Sequence, residues 1–255
     1  MSKNFELLQQ VETGHGSAAG TAATKARSPL HFHVSNGREP VVPMDLNRVA
    51  QEETLRLVQA IFLAPGPNPP RVVMFAGVDP GNGCSHVCAR AAAVLASNMP
   101  GSVCLVDANL RAPSLPEFFG VTNHHGLVDS LRQNGSVRGY AKSLQPENLW
   151  LLSCGSLAAD SSLLLNSEPM KARIAELRKE FDYVLIDSPP LNTYSDGMVL
   201  GQLADGAVLV LEANATRREV TLKVAADLRA AHIKILGAVL NKRTFAIPEA
   251  LYRRL

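Results

Sequence analysis

The chain has 255 residues, 46% of them hydrophobic, enough for one sizeable α/β core plus an extra segment. Its formal charge of +2 argues against a general nucleic-acid binder, so no nucleic-acid partner is expected. No apolar run reaches the ~18 residues that a membrane-spanning helix needs, Met1 to Gln10 lacks the apolar core of a signal peptide, and four cysteines outside any spaced framework point to a reduced, cytoplasmic compartment.

Residues 1–45 are rich in Gly, Ser, Ala, Thr and Pro and read as a flexible N-terminal arm, because such a segment buries too little apolar surface to fold alone. Within it Phe5-Glu6-Leu7-Leu8 is a short apolar patch, read as a frayed turn, with a docking peptide as the second reading. Residues 46–70 form a helix and a proline-rich connector. Leu46, Val49, Leu55, Val58, Ile61 and Phe62 recur at helical spacing, Asp45 caps the start, and Pro65, Pro67, Pro69 and Pro70 stop the helix.

Residues 71–255 are the core domain. Strands are expected at 71–76, 102–107, 149–154, 183–187, 207–211 and 234–240, mostly as continuous apolar runs of the kind covered on both faces. Helices are expected between them at 85–97, 126–132, 168–181, 196–203 and 217–232. This alternation predicts an α/β fold, a doubly wound and mostly parallel sheet flanked by helices, with ligands at the carboxyl ends of the strands.

The most informative stretch is Phe75-Ala76-Gly77-Val78-Asp79-Pro80-Gly81-Asn82-Gly83-Cys84-Ser85-His86. A strand, a glycine turn and a helix start aim backbone N–H groups and a helix dipole at an anion, the layout of a phosphate-binding loop. Two further runs, Val103 to Asp107 and Val184 to Asp187, each end a buried strand on a carboxylate. Ser85, Asp107 and Asp187 would give hard oxygen ligands to a magnesium ion beside nucleotide phosphates.

These pieces resemble the bacterial tyrosine kinases, P-loop autokinases of capsule and exopolysaccharide export within the MinD/ParA-like class. Pro80 to Ser85 resembles that family's Pro-Gly-x-Gly-Lys-Ser loop. Asp107-Ala108-Asn109-Leu110-Arg111 resembles its second aspartate motif, and Phe181-Asp182-Tyr183-Val184-Leu185-Ile186-Asp187-Ser188-Pro189-Pro190 its Walker B segment. Asp205 to Val210 and Gly237 to Asn241 resemble its last two strands. The resemblance implies ATP or ADP with magnesium as cofactor. It implies Asp107, Asp187 and Arg111 as catalytic residues, and Ser85, Asp107 and Asp187 as metal ligands. Nucleotide contacts are implied at Pro80, Gly81, Asn82, Gly83, Cys84, Ser85, His86 and Asn241. It also implies a cytoplasmic protein that reaches the inner membrane through a polysaccharide co-polymerase, or chain-length determinant, as partner. Homo-oligomers would form through the Glu53 and Arg56 helix.

The chain departs from that pattern in several places. Cys84 replaces the phosphate-loop lysine, and loss of a charge-assisted hydrogen bond weakens binding roughly 10- to 100-fold. Asn109 replaces an aspartate, Gln59 replaces the last arginine of the oligomer motif, and Tyr252 stands where the autokinases carry a tyrosine cluster. The expected protein is therefore a catalytically impaired regulatory member. The alternative is an active tyrosine autokinase or ATPase, with Arg111 or a partner compensating. Cys84 and Cys88 share a helix face and Cys104 packs against Cys88, while Cys84 itself reads as drift at a position that no longer needs lysine, with a redox-sensitive thiol acidified by the helix start as the second reading. A zinc site is not expected at these spacings.

Overall fold

The protein is described from a computed structural model over residues 46–63, 68–158 and 160–242. The arm at 1–45 with its Phe5–Leu8 patch, the Asp45 cap, Pro65, Pro67 and the Tyr252 tail lie outside those residues. Helix α1 (Leu46–Phe62) precedes strand β1 (Val72–Gly77), helix α2 (Cys84–Asn98) and strand β2 (Val103–Asp107). Three short helices follow, α3 (Leu115–Phe118), α4 (Leu127–Arg132) and α5 (Val137–Tyr140), then strands β3 (Lys142–Ser143) and β4 (Leu149–Leu152). A 3-10 turn (Ser161–Asn166) leads to α6 (Glu168–Glu180), β5 (Tyr183–Ser188), α7 (Asp196–Leu203), β6 (Gly206–Glu212), α8 (Arg218–Ala230) and β7 (Ile235–Asn241).

These strands form one seven-stranded sheet in the order β3-β4-β2-β5-β1-β6-β7. All pairings are parallel except the antiparallel β3–β4 edge. Every residue of β1 and β2 is buried, as a strand covered on both faces requires. Alternate residues split between two cores. Val73, Phe75, Val103, Leu105 and Leu185 pack with α1 and α2 on one face. Met74, Ala76, Cys104, Val106 and Ile186 pack with residues of α4 to α8 on the other.

That alternation corrects the cysteine pairing. Cys88 belongs to the α2 face, whereas Cys104 points to the opposite one, so the sheet separates them. The strand expected to reach Cys154 stops at Leu152, because the carbonyls of Ser153 and Cys154 turn to accept the Leu127 and Val128 N–H groups at 2.7 and 3.0 Å, satisfying the start of α4. The four-residue helices α3 and α5 and the two-residue β3 are too short to leave a periodic signal. On α1, Glu53 is buried and its carboxylate meets Arg56 at 3.2 Å.

Candidate functional site

The carboxyl ends of β1, β2 and β5 lie side by side at the centre of the sheet, and the site is built there. After β1 the chain turns through Gly81 and Gly83, at φ +82° and +76°, left-handed values that glycine adopts without strain. Space forbids a side chain at Gly83: a Cβ would come within 2.4 Å of Asn241 Nδ2. Gly83 caps α2, so the unpartnered N–H groups and the positive end of that helix open onto the turn.

A cavity of about 360 Å³ sits over this turn. Pro80, Gly81, Asn82, Gly83, Cys84, Ser85, His86 and Asn241 all line it, as do Asp79, Asn109, Ser114, Ser188 and Lys242. Asn82 is buried and holds the turn together. Its Oδ1 accepts the Asp79 N–H at 2.7 Å, its Nδ2 donates to Thr216 Oγ1 at 3.3 Å, and its carbonyl accepts Asn241 Nδ2 at 2.8 Å. Asn241 Oδ1 is buried with no hydrogen-bond partner, leaving an acceptor beside the cavity. His86 stands edge-on to Phe118 at 5.2 Å. Asp79, which threatens phosphates with repulsion, accepts a bond from Asn192 Nδ2 at 3.0 Å.

Behind the turn, Asp107 and Asp187 are cross-strand partners on β2 and β5, both fully buried. Asp107 Oδ2 accepts the Leu115 N–H at 3.3 Å, but Asp107 Oδ1 and both oxygens of Asp187 have no hydrogen-bond partner. Buried carboxylate oxygens left unpaired are costly, so the pair is shaped for a partner that the chain does not supply. Burial pushes the Asp187 carboxyl up to about 7; the nearby Ser85 hydroxyl and Cys84 thiol pull it down somewhat without a well-made hydrogen bond. Asp107 is also raised, first by burial and then by Asp187, against the pull of backbone N–H groups from Leu115, Asn109 and Ser114. The donor set, two carboxylates and the Ser85 hydroxyl, consists of hard oxygens and fits a magnesium ion; the glycine turn fits phosphates. With both groups bound, the ion would supply charge stabilisation at the phosphates.

One expectation changes here. The Cys84 thiol is not acidified: burial, and then the Asp187 carboxyl beside it, raise it well above the ordinary value against the pull of the Gly77 backbone. Arg111, like Asp107 and Asp187, is not among the residues that line the cavity. Its guanidinium binds Asp196 Oδ2 at 2.9 Å and lies over the Tyr194 ring at 4.8 Å. Asn109 keeps a structural bond, accepting the Ala112 N–H at 3.3 Å. Sequence reasoning missed Asn192 and Thr216, which buttress the turn, because those contacts span more than a hundred residues of chain and leave no local pattern.

A ParA family profile, described as NUBPL iron-transfer P-loop NTPase, matches residues 70–253. The tyrosine-protein kinase YwqD of Bacillus subtilis is 32% identical over 66% of this chain and 71% of its own length. The succinoglycan biosynthesis transport protein ExoP of Rhizobium meliloti is 31% identical over 68% of this chain, which spans only 22% of that relative. Among solved structures, the kinase domain of VpsO superposes with a TM-score of 0.69 at 26% identity, over 78% of this chain and 98% of that one.

Proposed function

The chain belongs to the ParA-like P-loop NTPases and, among them, to the bacterial tyrosine kinases, and from that premise we propose that it is a catalytically impaired, nucleotide-binding member that serves exopolysaccharide biosynthesis. Its partner would be an inner-membrane polysaccharide co-polymerase. Among the described residues no helix is long and apolar enough to cross a membrane, so that partner would bring it to the membrane surface.

One observation carries the reading. The glycine turn, Ser85 and the Asp107–Asp187 pair are assembled, yet Cys84 stands where the family's lysine would reach the phosphates. Phosphoryl transfer depends on positioning and on charge that stabilises the transition state, so a neutral thiol there costs catalysis more than binding. The Ser85, Asp107 and Asp187 donors support retained binding of a magnesium nucleotide. Asn109 cannot act as a general base, and Arg111 would have to leave Asp196 to supply the compensation that an active autokinase needs.

Titration with a fluorescent ADP analogue in magnesium buffer should give measurable binding, with little phosphotyrosine and little hydrolysis when the protein is incubated with labelled ATP. Cys84→Lys should tighten ADP binding roughly 10- to 100-fold. Robust autophosphorylation of the unmodified chain that Asp107→Ala abolishes would sink the impaired reading in favour of an active autokinase.

A further inference from the structure

The cavity over the glycine turn keeps a cation that the residue at position 84 does not provide. Lys242 follows directly on β7 and lines the same cavity as Gly81, Gly83 and Ser85. A Cβ built on Gly83 would lie 4.0 Å from Lys242 Cε, so the lysine stem runs along the turn that presents its N–H groups to an anion. Among the described residues lining the cavity, Lys242 is the one permanent cation.

Its position is tied to the cradle from several sides. Pairing of β6 with β7 places Glu212 opposite Asn241, and Lys242 Nζ reaches Glu212 Oε2 at 3.3 Å, with the two side chains 29% and 26% exposed. Asn241 donates to the Asn82 carbonyl, and Asn82 donates to Thr216 Oγ1, which also accepts the Glu212 N–H at 2.9 Å. Glu212, Lys242 and the turn thus share one hydrogen-bonded frame. Lys242 itself holds φ at 51°, a left-handed backbone that a lysine keeps only where its surroundings impose it. One of its three ammonium hydrogens goes to Glu212, and two remain for anion oxygens.

Resting on the nucleotide-binding reading above, we propose that Lys242 takes over the charge lost at Cys84 and binds the phosphate oxygens of a nucleoside di- or triphosphate from the end of β7. The cation comes from the Gly83 side of the turn. It lines the cavity with the turn, which neither Asp107 nor Asp187 does, so it faces bound phosphate more directly than the metal-binding carboxylates.

The test is a magnesium-ADP titration of the full chain, using the fluorescent analogue, for the unmodified protein and for Lys242→Gln, Lys242→Arg and Lys242→Gln combined with Cys84→Lys. Lys242→Gln should weaken binding roughly 10- to 100-fold. Lys242→Arg should keep most of the affinity, and Cys84→Lys should restore binding in the Lys242→Gln background because a cation is again present. Equal affinity of Lys242→Gln and the unmodified chain overturns the role of Lys242 alone. A loss that neither Lys242→Arg nor Cys84→Lys repairs overturns it too, since bulk or folding, not charge, would then be missing. Failure of the unmodified chain to bind at all overturns both this inference and the nucleotide-binding reading.

Discussion

Strand β5 is bracketed by two aspartates with opposite fates. Asp182, just before the strand, accepts the Ser102 N–H at 2.7 Å and the Ser102 hydroxyl at 3.0 Å, and these bonds hold its carboxyl below the ordinary range. Asp187, inside the strand's far end, is buried with no partner and is raised. The same division runs across the sheet. Before β6, Asp205 accepts the Arg71 and Val72 N–H groups and Arg178, which together outweigh the burial that would raise it. At the other end Asp107 is raised beside Asp187. The amino end of the sheet is thus closed by satisfied carboxylates, and the carboxyl end is left open by unsatisfied ones. A carboxylate that lowers stability and persists in the fold is a mark of a binding site, whereas a satisfied one marks construction.

The sharpest way to break this contrast is Asp187→Asn in metal-free protein. The carboxyl's ordinary value is 3.8 and its folded value about 7, which at about 1.4 kcal/mol per tenfold in proton affinity is roughly 4 kcal/mol lost above neutrality. The sign follows from proton uptake: between those two values the folded state binds more protons than the unfolded one, so stability is full below about 4 and falls as pH rises through about 7. Asp187→Asn should therefore stabilise the metal-free protein at pH 8 by ~2–4 kcal/mol, flatten the slope between pH 4 and 7, and abolish the protection that magnesium-ADP gives. Urea unfolding at a series of pH values measures all three. A destabilised Asp187→Asn protein with an unchanged slope would remove the distinction between the two ends.

Asp205→Ala should act in reverse and somewhat less. It strands the buried Val72 N–H and releases Arg178, at a cost of about 2–3 kcal/mol in unfolding free energy. Nucleotide affinity should not move, because the site lies at the opposite ends of the strands. A change in ADP affinity beyond about twofold would mean that the two ends are coupled.

Much of the open end was legible in the chain, and little of the closed end. Pro80 to Ser85, Asp107 and Asp187 each announce themselves locally, as an apolar run followed at once by a turn or a carboxylate. Their neighbourhood follows from parallel pairing alone. What the chain concealed depends on contacts between distant segments. Nothing near Arg111 betrays that Asp196 and Tyr194 hold it outside the cavity, and nothing near Asn82 betrays Thr216. Cys104 and Cys88 both read as core, but the period of a strand decides which face of the sheet Cys104 occupies. The Cys84 thiol shows the same limit: a helix start favours a thiolate in general, but burial and the Asp187 carboxyl beside it raise this one.

The smallest expected effect tests whether satisfaction at the amino end is local. Ser102→Ala removes one hydroxyl bond to Asp182 Oδ2 and the acceptor that the Asp182 N–H uses at 3.2 Å. The Ser102 N–H bond at 2.7 Å and the Asp182 N–H bond to the Ser102 carbonyl at 3.0 Å both remain. Because the group is exposed, water takes over the lost partners, and the cost should be only about 0.5–1 kcal/mol by urea unfolding. Asp182 should then titrate closer to an ordinary carboxylate. A depressed folded value gives stability that is present above the unfolded value and lost as pH falls, so the variant should lose less stability than the unmodified chain between pH 5 and 2. An unchanged acid limb would show that the Ser102 backbone N–H alone sets the carboxylate, and that the amino end is held by chain geometry more than by side-chain chemistry.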